Sequence, residues 1–575
     1  MQVALATAGG QLARRGPPSV YRVDGGEAGG SFLWLQRMRD VYGVGVRAEG
    51  NATALLVAAA AELAASPGGL GLVTFEYGAP ESVNAALCLC AGAARRLDGS
   101  NPALIAIARD SDAWPAVAHL GAVYADVRNS SALDVLRKLG NGAFGWRMAS
   151  FQPGAKASEV SEYAVAAGLP TVEFNSSLSA GGGPAAEYVL ARMANAGAEH
   201  PNSDGESPSS LRVALGWGDD ESAYVQALSE AGVAAHASDW ARGMATLANL
   251  HVHAGLRLRT DPNVMVRRGR GKRMSARGGK AAIDRAPRRA AAAVFDTGNA
   301  AGDETNAVST NKHTVALLMS DGDNVQWLIN ALATDARWWA SPKRGSCPLG
   351  WTVSPAVGYL APPVSDYLRE TATPNDELIA APSGGGYVYP AKMDTPSLEG
   401  FAAATRAMVA ASLGPPGDVP VNIIDLPGMD DPDIPTLERF AAAYGGDVGG
   451  LIWYTYAYGY AGWRNASFLS DGTPLLGAGV SLWGEDATGT MRGVDGTVAY
   501  FLNDSALPVD ARDRRAYSIV PVNVWGHGVE DACAVAARLE ASGRVQVVTP
   551  GELMRRLRRL APTNPDRTSS ADHKP

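Results

Sequence analysis

Two carboxylates two residues apart, Asp321 and Asp323, lie in the stretch Ser320-Asp321-Gly322-Asp323-Asn324. An apolar run, Val315-Ala-Leu-Leu-Met319, precedes them, and a helix-like pattern, Val325 to Ala333, follows. The spacing predicts a buried strand, a polar corner and a helix, with both acids at the strand's C-terminal end, where α/β folds place their chemistry. Two carboxylates can divide the roles of acid and base, or of acid and nucleophile. They can also hold a hard divalent cation. Helix capping needs only one such residue, and the corner offers Asp321, Asp323 and Asn324.

Other strand ends add to this set. One run carries Thr352 and Ser354, and Asp425 ends another. Ser383-Gly384-Gly385-Gly386-Tyr387-Val388-Tyr389 reads as a tight glycine loop that presents Tyr387 and Tyr389. No Walker-type Lys-Ser/Thr follows it, which argues against phosphate binding. Tyr454, Tyr456, Tyr458 and Tyr460 alternate at period two; Trp483 and Glu485 end a further run, and Trp525 and His527 another. Acids beside aromatics suit carbohydrate chemistry, because a ring gives a flat platform for the C–H face of a sugar and its polar tip a handle for hydroxyls. His527 is a possible metal ligand, but no His-x-x-x-His pair or dense His/Asp cluster supports a dedicated metal centre, so no cofactor is expected, with a divalent cation as the alternative.

The elements that must position these groups follow from His313 onward. Eight strand-like runs recur: 314–319, 351–357, 377–381, 419–425, 450–455, 475–482, 517–525 and 545–549, most of them separated by helical patterns. Repeated strand–helix units over this length suggest a (β/α)8-like barrel, whose strand ends meet at one face; an open doubly wound sheet is the alternative. Upstream, mixed α/β patterns over 31–125 and 126–259 predict two smaller α/β domains. Residues 1–30 and 563–575 read as disordered ends. Residues 260–311 form a basic low-complexity linker or insertion, in which 267–289 alone carry ten Lys/Arg and one Asp.

At 575 residues several cores are expected. Outside the basic segment 40 basic residues face 57 acidic ones, so the folded body is acidic and does not look like a nucleic-acid binder. No apolar run is long enough for a membrane span. Four cysteines, Cys88, Cys90, Cys347 and Cys533, are too few for a disulfide scaffold and are expected to be mostly buried free thiols. Five sequons, at Asn51, Asn129, Asn175, Asn465 and Asn503, would permit secretory glycosylation, although no signal peptide is visible. Nothing in the sequence sets the oligomeric state.

Several of these segments together resemble the GxGYxYP putative glycoside hydrolases. The naming motif is Gly384-Gly385-Gly386-Tyr387-Val388-Tyr389-Pro390; Met319 to Trp327 looks like the family's SDGDN-x-x-W segment, and Gly350-Trp351-Thr-Val-Ser-Pro355 like its GWT-x-SP segment. Ala381-Pro-Ser383 leads into the glycines in the family manner, and Glu81 to Ala86 and Leu215-Gly-Trp217 look like its N-terminal segments. The resemblance spans about 30–560. It implies two N-terminal α/β domains, a barrel-like catalytic domain and glycoside hydrolysis, with the motif residues, Asn324, Trp327, Trp351, Ser383, Gly384 and Gly386 among them, as site candidates.

The resulting expectation is a carbohydrate hydrolase. Asp321 and Asp323 supply one carboxylate function and Asp425 or Glu485 the other, with Tyr387, Tyr389, Tyr454, Tyr456, Trp483, Trp525 and His527 lining a sugar site. A metal-assisted hydrolase of glycan substituents and a non-catalytic glycan-binding protein are the alternatives.

Overall fold

The computed structural model describes the chain apart from residues 16–18, 24–29, 48–50, 96–100, 154–159, 200–210, 239–246, 248, 260–310, 457, 485–488, 504–506 and 563–575. The basic 267–289 stretch, the C-terminal tail and Glu485 therefore lie outside the described residues. Three sheets occupy three successive stretches. The first joins β1 (Leu70–Phe75), β2 (Ala103–Ala108) and β3 (Ala122–Asp126) in the order β2-β1-β3, all parallel. The second joins β4 (Met148–Phe151), β5 (Thr171–Val172), β6 (Arg212–Gly216) and β7 (Val233–Ala237) in the order β5-β4-β6-β7, again parallel.

The start of the chain is helical rather than disordered. Helix Gln2–Arg15 buries Val3 to Leu12 against helix Ser161–Ala167, helix Ala52–Ala64 and β2. Its small residues make this possible: a Cβ on Gly10 would fall 2.6 Å from the Glu162 carbonyl oxygen. Ala and Gly, which read as low order in isolation, here permit close helix packing.

The third sheet comprises β8 (His313–Met319), β9 (Leu349–Val353), β10 (Asp376–Ala380), β11 (Val421–Asp425), β12 (Leu451–Thr455), β13 (Ala466–Phe468), β14 (Pro474–Gly477), β15 (Ser481–Leu482), β16 (Met491–Arg492), β17 (Tyr517–Val522) and β18 (Val545–Val548). Its order is β13-β14-β12-β11-β10-β9-β8-β17-β15-β16, and among the described residues only the β13–β14 pair is antiparallel. Side chains alternate between two buried faces, as parallel sheets require. Val315, Leu317 and Met319 point to the outer helices; Ala316 and Leu318 point to the concave side with Ile379, Ile424, Ile452, Leu476 and Ile519. Helix Pro550–Arg558 packs against β8, β10, β14 and β17 and so fills the concave side through Leu553, Met554 and Leu557.

The sheet is a curled half-barrel, and among the described residues its strands do not trace a closed eightfold ring. The run 475–482, expected as one strand, breaks at Ala478-Gly479-Val480. β14 pairs with β12 on one flank, while β15 pairs with β17 on the other. β18 departs from the expected order as well. It pairs with His313–Ala316 of β8, so β9 meets β8 only at Leu318 and Met319.

The cysteines divide. Cys88 and Cys90 are buried free thiols, as expected, but Cys347 and Cys533 are joined in a disulfide across 186 residues of sequence. Their pairing depends on the fold bringing the entry to β9 against helix Val529–Ala541, which no local spacing reveals.

Candidate active site

The corner after β8 is held on several sides. The Ser320 amide donates to Val522 O at 3.0 Å and continues the β8–β17 pairing. The Gly322 amide donates to Thr352 Oγ1 (2.9 Å), Thr352 Oγ1 donates to Met319 O (2.8 Å), and the Ser354 amide donates to Gly322 O (2.7 Å). A Cβ on Gly322 would lie 1.7 Å from Thr352 O, so only glycine fits there. Asn324 caps helix Val325–Asn330 by accepting from the Trp327 amide at 2.9 Å. Capping thus uses Asn324 and leaves both aspartates for other work. Asp321 has φ +63, a left-handed conformation that an aspartate adopts at some cost and that clusters at functional sites. Its Oδ1 accepts from the Trp525 indole at 2.9 Å, and the Ser320 hydroxyl bonds its Oδ2.

The glycine motif joins the third sheet to the second. Ser383 Oγ donates to Val388 O (2.8 Å) and folds the loop on itself, and the Gly385 amide donates to Thr405 Oγ1 (2.9 Å). A Cβ on Gly384 would fall 2.5 Å from Thr405 Cγ2. Tyr387 then exchanges two backbone hydrogen bonds with Ala235 of β7, at 2.8 and 3.0 Å. The Tyr389 amide donates to Ser229 Oγ at 2.9 Å. Gly386, at φ +156, allows this approach: a Cβ there would lie 2.9 Å from Ala234 Cβ and 3.0 Å from Ala235 O.

This clasp brings in a carboxylate that the sequence reading did not single out. Glu221 opens helix Glu221–Glu230, which is capped by Asp220. The Tyr387 hydroxyl donates to Glu221 Oε1 at 3.2 Å, and the Tyr456 hydroxyl also bonds it. Burial, and after it the charges of Asp323 and Asp321, push the Glu221 carboxyl up to about 8. Burial and the charge of Asp321 push Asp323 up to about 7. Asp321 is also raised by burial, against the two hydrogen bonds that favour its ionised form. All three carboxylates keep part of their surface open. The charge of each aspartate opposes ionisation of Glu221, and that of Asp321 opposes ionisation of Asp323, so the three titrate as a coupled set. A signal for Glu221 was present: Asp219-Asp220-Glu221 follows β6 just as Asp321 to Asp323 follows β8.

Aromatic side chains surround the acids. Tyr460, also left-handed at φ +63, stacks on Tyr454 with ring centroids 5.8 Å apart and meets Trp483 edge-on at 5.0 Å. Burial and the charges of Asp321, Glu221 and Asp323 hold its phenol protonated. Tyr387 and Tyr389 are buried with perpendicular rings, and the Tyr387 hydroxyl reaches Glu221. His527 lies near Asp531 Oδ2 and Trp483 O, both at 3.0 Å, and so braces the Trp483 segment.

Other predicted site residues lie apart. Asp425 is sealed below the surface near Tyr389; burial raises its carboxyl to about 6, and one of its oxygens has no partner. Trp351 points to the outer face, packs on Trp339 and donates to Asp376 Oδ1 at 3.0 Å. Trp327 is buried against Trp338 and Trp525. Among the described residues no three His, Cys, Asp or Glu side chains converge tightly enough to hold a metal ion. No described helix is long and apolar enough to cross a membrane.

The architecture has a counterpart. A crystal structure of a putative hydrolase from Bacteroides thetaiotaomicron aligns with a TM-score of 0.70 over 98% of this chain and 93% of that chain, at 20% identity, which establishes a shared fold. No curated protein matches the sequence. Residues 311–558, which include the glycine motif and the Asp-Gly-Asp corner, match the family model described as the GxGYxYP putative glycoside hydrolase C-terminal domain.

Proposed function

We propose that the protein is a glycoside hydrolase whose chemistry is divided between Glu221 and the Asp321–Asp323 corner. One observation carries this reading: a carboxylate beside the second sheet, bonded by the Tyr387 hydroxyl, lies close enough to two from the third for their charges to interact. Glu221, raised furthest, is protonated at neutral pH and is the general acid. Its proton passes to the glycosidic oxygen as the bond from that oxygen to the anomeric carbon breaks. Asp323, poised near neutrality, acts on the other side, as base to the attacking water or as nucleophile; the anomer of the first-formed product distinguishes the two. Asp321 is aimed by Trp525 and Ser320, whose hydrogen bonds favour its ionised form. Its charge favours the positive character that develops at the anomeric carbon. The tyrosine and tryptophan rings bind the sugar faces.

The reading is tested with a panel of oligo- and polysaccharides and product detection, on wild type, Glu221→Gln and Asp323→Asn, with and without chelator. The expected result is product from wild type, indifferent to chelator, and a loss of about 10²–10⁴ in turnover in each folded variant. Full activity in Glu221→Gln would remove the assignment of the acid. Chelator-sensitive turnover would move the chemistry to a metal-assisted hydrolase.

A further inference from the structure

Tyr460, whose phenol feels the three carboxylates, also borders a recess that contains none of them. The recess has a volume of about 80 Å³ and is lined by Met429, Asp430, Trp453, Tyr454, Tyr460 and Trp463, among others. Tyr460 therefore links this recess to the proposed catalytic groups. Three features distinguish the recess from a packing defect. The Trp463 ring is only partly buried and is fixed in orientation, because its indole donates to Asp431 Oδ1 at 2.9 Å and its edge packs on Trp453 at 5.6 Å. Gly477 makes room for that ring: a Cβ there would come within 2.3 Å of it. The Tyr454 hydroxyl, on a residue 3% exposed that lines the recess, has no hydrogen-bond partner. A buried hydroxyl without a partner is costly, and a ligand hydroxyl would relieve it.

We infer that this recess is an additional subsite that binds a neutral pyranose unit one or more positions along the chain from the bond being cleaved. The inference rests on the hydrolase reading for the identity of the chain, while its geometry stands apart from the catalytic groups. Trp463 offers an apolar platform for a ring face, and Tyr454 and Asp430 offer polar partners for hydroxyls. Among the described residues no basic side chain lines the recess, and Asp430 and Asp431 place negative charge at its rim, so uronic-acid and sulfated sugars are disfavoured. The volume suits the edge or hydroxymethyl arm of one sugar and not two stacked units.

The test uses the full chain labelled with 5-fluorotryptophan, with the Trp463 resonance in the ¹⁹F spectrum assigned by Trp463→Phe. The probes are malto-, cello-, xylo- and chito-oligosaccharides of two to six units, with oligogalacturonides as the anionic control. In at least one neutral series, chains above a threshold length should shift the Trp463 resonance while the dimer does not. Affinity for those longer chains should fall about tenfold in Trp463→Ala and recover in Trp463→Phe. Length-dependent binding with an unmoved Trp463 resonance would overturn the subsite, as would a shift confined to oligogalacturonides or no binding in any series. The wild-type resonance keeps the test decisive even if Trp463→Ala does not fold. A Trp463 shift without product would leave the subsite standing and remove the hydrolase reading; product without a shift would do the reverse.

Discussion

Replacing Glu221 by Gln should make the protein more stable at alkaline pH while removing its activity. The Glu221 carboxyl rises from its ordinary 4.5 to about 8 in the folded chain. The folded state therefore holds a proton that the unfolded state gives up, and stability attributable to this group falls as pH rises between about 4.5 and 8. Below that window the carboxyl is protonated in both states and the effect vanishes. The full shift corresponds to about 5 kcal/mol, and solvent screening of a partly open side chain reduces this to about 2 kcal/mol. Glutamine keeps an oxygen that accepts from Tyr387 and Tyr456 but cannot ionise, so it escapes the penalty. Thermal unfolding of both proteins at pH 5, 6, 7, 8 and 9 measures the difference. The melting temperatures should be close at pH 5 and diverge in favour of Glu221→Gln up to pH 8, by about 4–8 °C. A difference that does not change with pH, or a variant less stable throughout, would refute the placement of Glu221 among like charges.

Three further outcomes follow from the same geometry. The pH profile of kcat/KM should be a narrow bell, its acid limb near 7 from Asp323 and its alkaline limb near 8 from Glu221, measured in constant-ionic-strength buffers; a plateau from pH 5 to 9 would exclude the pair. Gly386→Ala should cost about 1–3 kcal/mol and speed hydrogen exchange in β7, because its Cβ meets Ala234 and Ala235. Reducing Cys347–Cys533 should lower stability by about 5 kcal/mol on the chain-entropy estimate for so long a loop, read as a drop in melting temperature with dithiothreitol that Cys347→Ser reproduces.

The strands of the third sheet were legible because parallel strands buried on both faces are written as continuous apolar runs; β8, β11 and β12 are clear cases. The break at 478–480 was less legible: Gly477 and Gly479 are its only local mark, and their meaning depends on Trp463 and Arg464 packing there. β3 and β7 carry too little contrast, as Ala-Val-Tyr-Ala-Asp and Val-Ala-Ala-His-Ala, to read as strands. Asp321 and Asp323 were visible because strand, corner and helix are contiguous. Glu221 needed the docking of two sheets. Trp351 was readable as aromatic but not as inward or outward, a distinction fixed when the inner side of neighbouring Gly350 is pressed by Pro550.

The clasp between Tyr387 and Ala235 makes competence a property of an assembly inside one chain. On the proposed roles, the acid belongs to one folding unit and its counterpart to another, so a fragment spanning only residues 311–558 would lack a proton donor even if it folded faithfully. Selection on such a site acts on the seam as strongly as on the side chains it aligns. A slight sliding of one unit against the other would silence the chemistry long before either unit melts.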